Sequence, residues 1–190
     1  DRAPLNDHRA TLIVGDDFNG GYLSASHLIA SGCKRIAHIS GPLTSNLYQN
    51  RSAGFAKAME AEGLEVRKDW VFHQELTHDN ALSAMAKLFE GSEYPDGICT
   101  DNDSSAIAVL EFAKEQGIRV PEDLKIVGYS NDPRTAIITP SITTIEQFPK
   151  TVGETIVRVL IDLLRNKGEE THVVSTPVIT PVQLIKRMST

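Results

Sequence analysis

The chain has 190 residues, of which 41% are hydrophobic, and a chain of this size can bury the core of one compact domain. Its formal net charge is −6 and its basic residues occur in runs of at most two, so its own surface is not expected to bind DNA. Its apolar runs are all far shorter than the roughly 18 residues that a membrane span needs, so the sequence gives no reason to expect membrane insertion.

Short apolar runs alternate with longer amphipathic stretches over the first 129 residues. The runs predict strands at 11–15, 35–40, 70–74, 97–100 and 124–129, and the stretches predict helices at 19–31, 50–62, 78–90 and 103–116. Gly32, Gly63 and Gly117 follow helix ends, where a left-handed C-terminal cap favours glycine. This alternation with short loops predicts an α/β fold, a doubly wound parallel sheet with helices on both faces.

The pattern changes after Pro140, where a strand at 143–146, a helix at 150–166 and a strand at 172–179 precede a polar tail. The helix carries apolar residues along one side: Val152, Ile156, Val159, Leu160, Leu163 and Leu164. Such a face has to be covered, either by the chain's own sheet or by a second copy. We therefore predict that the chain dimerises.

Sequence patterns typical of common enzymes are missing. The chain has no GxGxxG, GxxxxGK[ST], GxSxG or HExxH motif. Cys33 and Cys99 are predicted to be buried reduced thiols, since there is no CxxC or metal-type spacing. Asp101, Asp103 and Asp132 could serve a hydrolase as acid and base, but acidic residues also favour helix N-termini, and we prefer that structural interpretation. We predict no catalytic activity, no metal and no cofactor.

Polar side chains follow three of the predicted strands, at the edge of a parallel sheet where ligands bind. Arg51 offers a guanidinium that can hold a carboxylate or two hydroxyl groups. Asn102 can donate to and accept from a ligand, or it can cap the helix that follows. Ser130 can face the crevice or merely satisfy turn backbone groups. Together the three predict a polar-ligand site, whereas His38, within a strand, is expected to be a packed core residue.

Four stretches of the sequence carry a more specific pattern: HLIASGCKRIAHISGPL, NRSAGFAKAMEAEGL, TDNDSSAIAVLEFAKEQGIRVPEDLKIVGYSND and PSITTIEQ. Within them, G-[IL]-R-V-P-x-D-[IL]-x-[IV]-[IV]-G-[YF] matches 117–129 and P-x-[IL]-T-T-[IV]-x-Q matches 140–147. In order and spacing they resemble the LacI/GalR family of bacterial transcription regulators over essentially the whole chain. The resemblance implies a two-lobed core like that of a periplasmic sugar-binding protein of type I, and a helix-turn-helix headpiece outside this chain.

The resemblance also implies how the chain divides between the two lobes. Residues 1–11 would end the first lobe, 12–145 would form the C-terminal lobe, 146–171 would return to the first lobe, and 172–190 would supply the final strand of the C-terminal lobe and a tail.

Dimer contacts implied by the resemblance fall on 77–86, 103–112 and 131–139. The last segment contains Ile137 and Ile138, which are apolar for a turn that faces solvent. That supports an interface, although docking of this loop onto its own lobe is an equal alternative.

Carried over residue by residue, the family's effector contacts fall on Asp1, Ser45, Leu47, Arg51, Leu76, Asn102, Ser130 and Gln147. Arg51 and Asn102 keep the family's common residue types. Ser130 replaces the usual aspartate, and Leu76 replaces a frequent aromatic stacking residue. The effector class therefore stays open among sugars, sugar phosphates, nucleobases or none.

The function that the resemblance implies is a ligand-sensing domain of a transcription regulator. A small polar effector would bridge the two lobes and thereby change the spacing of the two headpieces in a homodimer. The homodimer would bind operator DNA through those headpieces only. Such a regulator would be cytoplasmic and make no membrane contact. The alternative is a periplasmic solute-binding protein of the same fold, which a signal peptide in the full-length protein would favour.

Overall fold

The computed structural model describes residues 11–165 and 177–190. Its elements in chain order are β1 (Ile13–Gly15), α1 (Asp17–Ala30), β2 (Ile36–Ser40), α2 (Asn46–Ala61), β3 (Val71–His73), α3 (His78–Phe89), β4 (Gly97–Thr100), α4 (Asp103–Glu115), β5 (Lys125–Tyr129), the short α5 (Arg134–Ile137), β6 (Thr143–Glu146), α6 (Pro149–Arg165), β7 (Val178–Thr180) and β8 (Gln183–Ile185). A single 3₁₀ turn, Lys68–Trp70, precedes β3.

The main sheet has six strands in the order β3-β2-β4-β5-β6-β8, and its strands are parallel except for the antiparallel pair β6 and β8. From β2 the chain crosses to β3 at one edge and then returns past β2 to β4, so the strand order reverses between β2 and β4. In open α/β sheets such a switch point opens a crevice outside the carboxyl ends of the two strands. The predicted α/β fold is confirmed, and this crevice is where a ligand site is expected.

Alternate residues of the central strands face two separate layers of helices. In β2, Ala37 and Ile39 belong to the core formed with α3 and α4, whereas Ile36 belongs to the core formed with α1 and α2. In β4, Ile98 and Cys99 divide in the same way. A strand that is apolar on both faces reads as a continuous apolar run, which is why these strands are visible in the sequence. Both cysteines are free and buried, as predicted.

The first strand differs from the prediction. The sequence places residues 11–15 in the same doubly wound sheet as the later strands, but β1 pairs in parallel with β7 in a separate two-stranded sheet, in the register Ile13↔Val178. The placement was wrong because a short apolar run indicates that a strand forms without indicating its partner. The predicted strand 172–179 overlaps β7 at its end, and its residues 172–176 lie outside the described ranges.

The last residues are part of the sheet rather than a polar tail, which corrects the sequence-based interpretation. β8 forms the edge strand beside β6, and Ser189 beyond it is fully buried. The Ser189 hydroxyl donates to the Ile126 carbonyl at 2.6 Å, and the Ile126 amide donates to the Ser189 carbonyl at 3.0 Å. Polar residues here continue the hydrogen bonding of the sheet.

The helix predicted at 150–166 is present as α6, but much of its apolar face is uncovered. The large apolar side chains of α6 that are more than a third exposed are Ile156, Val157, Leu160, Ile161, Leu163 and Leu164. Among the described residues, α6 mainly contacts β1 rather than the six-stranded sheet. Of the two covers that the sequence allowed for this apolar face, the six-stranded sheet of the same chain is therefore not the one observed. No helix in the ranges 11–165 and 177–190 is both long and apolar enough to cross a membrane.

Candidate functional site

Three of the predicted site residues lie together at the carboxyl ends of neighbouring strands. The Arg51 side chain on α2 donates from Nη1 to the carbonyl of Asp101, the residue before Asn102, at 2.7 Å. Its guanidinium carbon also lies 3.6 Å from the ring centroid of Tyr129, the residue before Ser130. Arg51 therefore contacts the residues immediately before Asn102 and Ser130, at the carboxyl ends of β4 and β5, next to the switch point between β2 and β4.

The Arg51 guanidinium is also bound by a carboxylate of the protein. Arg51 is only 5% exposed, its Nε donates to Asp17 Oδ1 at 2.8 Å, and its Nη2 lies 2.8 Å from the same oxygen. Burial raises the pKa of the Asp17 carboxyl group, although the positive charge of Arg51 acts in the opposite direction. Among the described residues, the bonds from Nε, Nη1 and Nη2 use three of the five N–H groups of the guanidinium. The other two N–H groups make no hydrogen bond to the residues in 11–165 and 177–190.

A second buried polar layer lies beneath Asp101. His38 Nε2 is 3.0 Å from Asp101 Oδ1, and the Ser40 hydroxyl donates to Asp101 Oδ2 at 2.6 Å. Burial alone would raise the pKa of Asp101, but His38, Arg51 and Ser40 stabilise its charged form and lower the pKa overall. His38 also stacks on Phe55 at 4.5 Å between ring centroids, so the predicted packed core histidine is confirmed and has a carboxylate partner in addition.

Asn102 connects two loops and caps a helix. Its Oδ1 accepts a hydrogen bond from the Ser105 amide at 2.8 Å, which is the capping role that the sequence left open for the start of α4. Its Nδ2 donates to the Leu76 carbonyl at 3.0 Å and thereby ties the loop after β3 to the end of β4. One N–H of the amide remains available to a ligand among these described contacts.

Ser45 and Leu47 lie at the start of α2, six and four residues before Arg51. The helix begins at Asn46, four residues before its predicted start, because the polar run before Arg51 carries little apolar periodicity. Ser45 occupies the N-cap position, and its side chain makes no capping hydrogen bond. Leu47 is only 5% exposed and is largely a packing residue.

The remaining predicted contacts are less closely grouped. Ser130 is exposed directly after β5 and has a backbone φ of 109°, which a non-glycine residue rarely adopts. Gln147 lies after β6 and lines a small cavity of about 190 Å³ together with Gly15, Pro149 and Val152. Asp1 lies outside the described residues.

Two of the three aspartates considered for a hydrolase, Asp103 and Asp132, are engaged in hydrogen bonds within the protein. Asp103 Oδ1 accepts from the Thr144 hydroxyl at 2.7 Å, and its Oδ2 accepts from the Asp132 amide at 2.6 Å. Burial raises the pKa of Asp103. The Asp132 carboxylate in turn accepts from the Arg134 guanidinium at 2.8 Å. Both carboxylates hold the loop after β5, which supports the structural interpretation of these residues.

Comparison with known proteins agrees with this architecture. The sequence model of the periplasmic binding protein-like domain family matches residues 25–190. The chain belongs to this family. It is similar to the HTH-type transcriptional repressor PurR of Escherichia coli O1:K1 / APEC, with 35% identity over 158 residues, which are 83% of this chain and 46% of the repressor. The periplasmic binding protein-like chain therefore spans about half the length of the curated relatives that it matches.

Solved structures of LacI-type regulators have the same fold. The transcriptional regulator CelR–cellobiose complex superposes with a TM-score of 0.87 and 26% identity, covering 97% of this chain and 55% of that one. A LacI family transcriptional regulator from Mycobacterium smegmatis superposes with a TM-score of 0.82 and 28% identity, covering 93% and 65%. The resemblance of this periplasmic binding protein-like domain to LacI-type regulators is confirmed.

Sequence analysis does not identify the residues that orient Arg51 in this LacI-type domain. Asp17 and Tyr129 fix the guanidinium from two other elements, and both are almost fully buried. Their signal in the sequence is positional only: Asp17 follows the first strand closely, and Tyr129 precedes Ser130. A pattern along the chain does not reveal that an aspartate and an arginine 34 residues apart are bonded.

Proposed function

We propose that this chain is the ligand-sensing core of a LacI-type transcription regulator and binds a small polar effector in the crevice bordered by Arg51, Asn102 and Ser130. The arrangement of Arg51 carries the proposal: its guanidinium is fixed by Asp17 and Asp101 before any ligand arrives, and it retains two N–H groups among the described contacts. A donor that is already ordered loses little conformational entropy on binding. Sugars, sugar phosphates and nucleobases are the candidate effectors.

The relatives support a regulator over a periplasmic solute-binding protein and over an enzyme. The matched PurR is a transcriptional repressor, and the CelR structure holds cellobiose. In the proposal, effector binding favours one angle between two lobes and thereby changes the spacing of two DNA-reading headpieces, which lie outside this chain. The regulator acts on operator DNA in the cytoplasm, without membrane contact, and without turnover of its effector.

The lobe assignment is also part of the proposal. Residues 12–145 and 172–190 form the C-terminal lobe, and 1–11 and 146–171 belong to the first lobe. The exposed apolar side chains of α6 support this division, since a helix of the first lobe would bury them against residues of that lobe.

A thermal-shift screen of the intact regulator against neutral sugars, sugar phosphates and nucleobases tests the sensing function. A compound present at a hundredfold excess over its dissociation constant is expected to stabilise the protein by about 2.7 kcal/mol. The same compound is expected to change the affinity for operator DNA, measured by fluorescence anisotropy. A stabilising compound that leaves DNA affinity unchanged would contradict a role as effector.

A matched pair of serine substitutions tests the location of the site. Ser130→Asn introduces a larger side chain at the crevice, and asparagine tolerates the positive φ of this position. We therefore expect this variant to bind the compound found in the screen about tenfold more weakly. Ser92→Asn makes the same change at an exposed turn before β4, at the other end of the strands, and should leave binding unchanged. Equal affinities for both variants would place the site elsewhere.

Dimerisation is proposed through the segments 77–86, 103–112 and 131–139. Ile137 in the last segment is 82% exposed, which supports an apolar contact there. Ile137→Asp is expected to raise the dimer dissociation constant at least about tenfold, because a charge would be buried at the contact. Met188→Asp, at a side chain that is 65% exposed outside these segments, serves as the control in sedimentation velocity. A wild-type chain that stays monomeric at all concentrations would refute the dimer.

A further inference from the structure

Two short segments at the crevice have an unusual backbone conformation. Ser130 and Asn131, directly after β5, have φ angles of 109° and 51°, and Phe148, shortly after β6, has a φ of 49°. For side chains other than glycine, this left-handed region is unfavourable, and it persists only where surrounding contacts hold it. The contacts that hold these residues are therefore of interest, since Ser130 borders the proposed effector site.

One series of hydrogen bonds joins both segments. The Arg187 guanidinium donates from Nη2 to Asn131 Oδ1 at 2.6 Å, and Asn131 Nδ2 donates to Glu146 Oε2 at 2.7 Å. The other oxygen of that carboxylate, Glu146 Oε1, accepts from the Phe148 amide at 2.7 Å. We name this series, Arg187–Asn131–Glu146–Phe148, the rim relay.

The polarity of the rim relay is determined by its two charged members. Arginine has only donors, and an ionised carboxylate has only acceptors. The amide of Asn131 therefore has to present its oxygen to Arg187 and its nitrogen to Glu146, and the opposite orientation would place donor against donor and acceptor against acceptor. Hydrogen bonds to charged groups are also shorter and stronger than those between neutral groups.

Arg187 is itself anchored, so the rim relay begins from a fixed point. Its Nη1 donates to the Ile142 carbonyl at 2.8 Å and to the Thr135 hydroxyl at 3.1 Å, and its backbone amide donates to the Thr143 hydroxyl at 2.9 Å. Two residues further on, Ser189 is buried in the sheet. Through Arg187, the end of the chain, predicted from the sequence to be a polar tail, therefore holds the loop after β5 in place.

We infer that Glu146 and Arg187 are positioning residues of the effector site, and that the rim relay couples the loop at Ser130 and Asn131 to the segment that leads into α6. The inference rests on the proposed function, because it assigns these residues to that site. Its physical core is that one carboxylate, Glu146, binds both the crevice loop and the backbone of Phe148, one residue before α6 begins. A ligand that moves Asn131 moves the acceptor of the Phe148 amide.

Reversing the polarity of the rim relay tests it without a ligand. Asn131→Asp puts a carboxylate against Glu146, and the repulsion should remove the acceptor of the Phe148 amide. Glu146→Gln leaves one amide oxygen for two donors, so one bond is lost. In the double variant, the introduced carboxylate accepts from Arg187 and from the introduced amide, whose oxygen accepts from Phe148. All members are then paired again.

Amide hydrogen exchange of the whole chain, followed by NMR, measures the outcome. We expect Asn131→Asp to speed exchange at the Phe148 amide about tenfold, in keeping with the loss of a hydrogen bond to a charged group. Glu146→Gln should speed it less, because one amide oxygen is then shared between the Asn131 and Phe148 donors. The double variant should return close to the wild-type rate. The amide of Ile98 in β4 reports global opening, so its rate measures any change in overall stability, and the Phe148 rate is compared with it in all three variants. A double variant that exchanges faster than either single variant would overturn the inference.

A control pair makes the same chemical changes at sites outside the rim relay. Asn50→Asp on α2 and Glu115→Gln on α4 alter exposed residues on opposite faces of the sheet, and their effects should simply add. Arg187→Met tests the other end and should speed exchange at Asn131 and Phe148 together. An unchanged rate at Phe148 would remove Arg187 from the relay. The exchange test needs no effector, so it can succeed even if the screen fails. With a stabilising compound from the screen, each single variant should bind that compound more weakly and the double variant should restore its affinity. Affinities that stay at the wild-type value in all variants would leave the relay purely structural and overturn the positioning role.

Discussion

Replacing Arg51 with methionine is expected to lower the free energy of unfolding by about 3–5 kcal/mol, because it leaves a buried carboxylate without its partner. Asp17 is 5% exposed, and its Oδ1 accepts from both Nε and Nη2 of Arg51. Methionine fills the space of the side-chain stem but provides no donor to Asp17 or to the carbonyl of Asp101. Urea denaturation with an unchanged m-value would measure the loss.

Two further variants show whether the loss comes from the unpaired charge. Asp17→Asn combined with Arg51→Met removes both charges, so about half of the lost stability should return. Arg119→Met breaks an ion pair with Asp123 in which the arginine side chain is 70% exposed, and it should change stability little. If Arg51→Met were no more destabilising than Arg119→Met, the buried pair would not support the fold.

This result bears directly on how the effector site is tested. Arg51 is both a candidate ligand contact and the residue that joins α1 and α2 to the ends of β4 and β5. Loss of binding in an Arg51 variant therefore has two physical causes, a lost contact and a loosened crevice. Ser130, which is exposed and outside this buried network, separates them.

The elements of the main sheet could be predicted because their burial leaves a local signature. β2 and β4 are buried on both faces and read as apolar runs, and α1 to α4 carry apolar residues at helical spacing. The partner of β1 could not be predicted in this way, because pairing between Ile13 and Val178 depends on the path of the whole chain. The periodicity of a short segment carries no information about contacts between residues so far apart in the sequence.

The candidate site could be predicted only in part, and for a related reason. Arg51, Asn102 and Ser130 can be predicted as site residues from their positions after strands, since the carboxyl ends of parallel strands lie at one edge of the sheet. The sequence gives no reason to predict Arg187 as a site residue, because a charged residue near the end of a chain normally faces solvent. Here its guanidinium binds Asn131 and the Ile142 carbonyl, and only the folded sheet provides those acceptors.

Two glycines allow α1 and α2 to approach closely. A Cβ at Gly54 on α2 would lie 1.9 Å from the Phe18 carbonyl oxygen on α1, and a Cβ at Gly21 on α1 would lie 2.0 Å from the Arg51 carbonyl oxygen on α2. Both neighbours are backbone atoms, which cannot turn aside as a flexible side chain can. The contact between these helices therefore requires glycine at both positions, and Gly54 lies one turn after Arg51.

Gly54→Ala is expected to destabilise the protein by about 3 kcal/mol, because the helices have to separate to admit the methyl group. Gly153→Ala on α6 is the matched control: outside its own helix turn, a Cβ there meets no atom of the described residues within 4 Å, so the greater helix propensity of alanine should stabilise the protein by about 0.5–1 kcal/mol. Chemical denaturation of the two variants should therefore give changes of opposite sign. If Gly54→Ala were stabilising as well, the close contact between α1 and α2 that places Arg51 beside Asp17 would not exist.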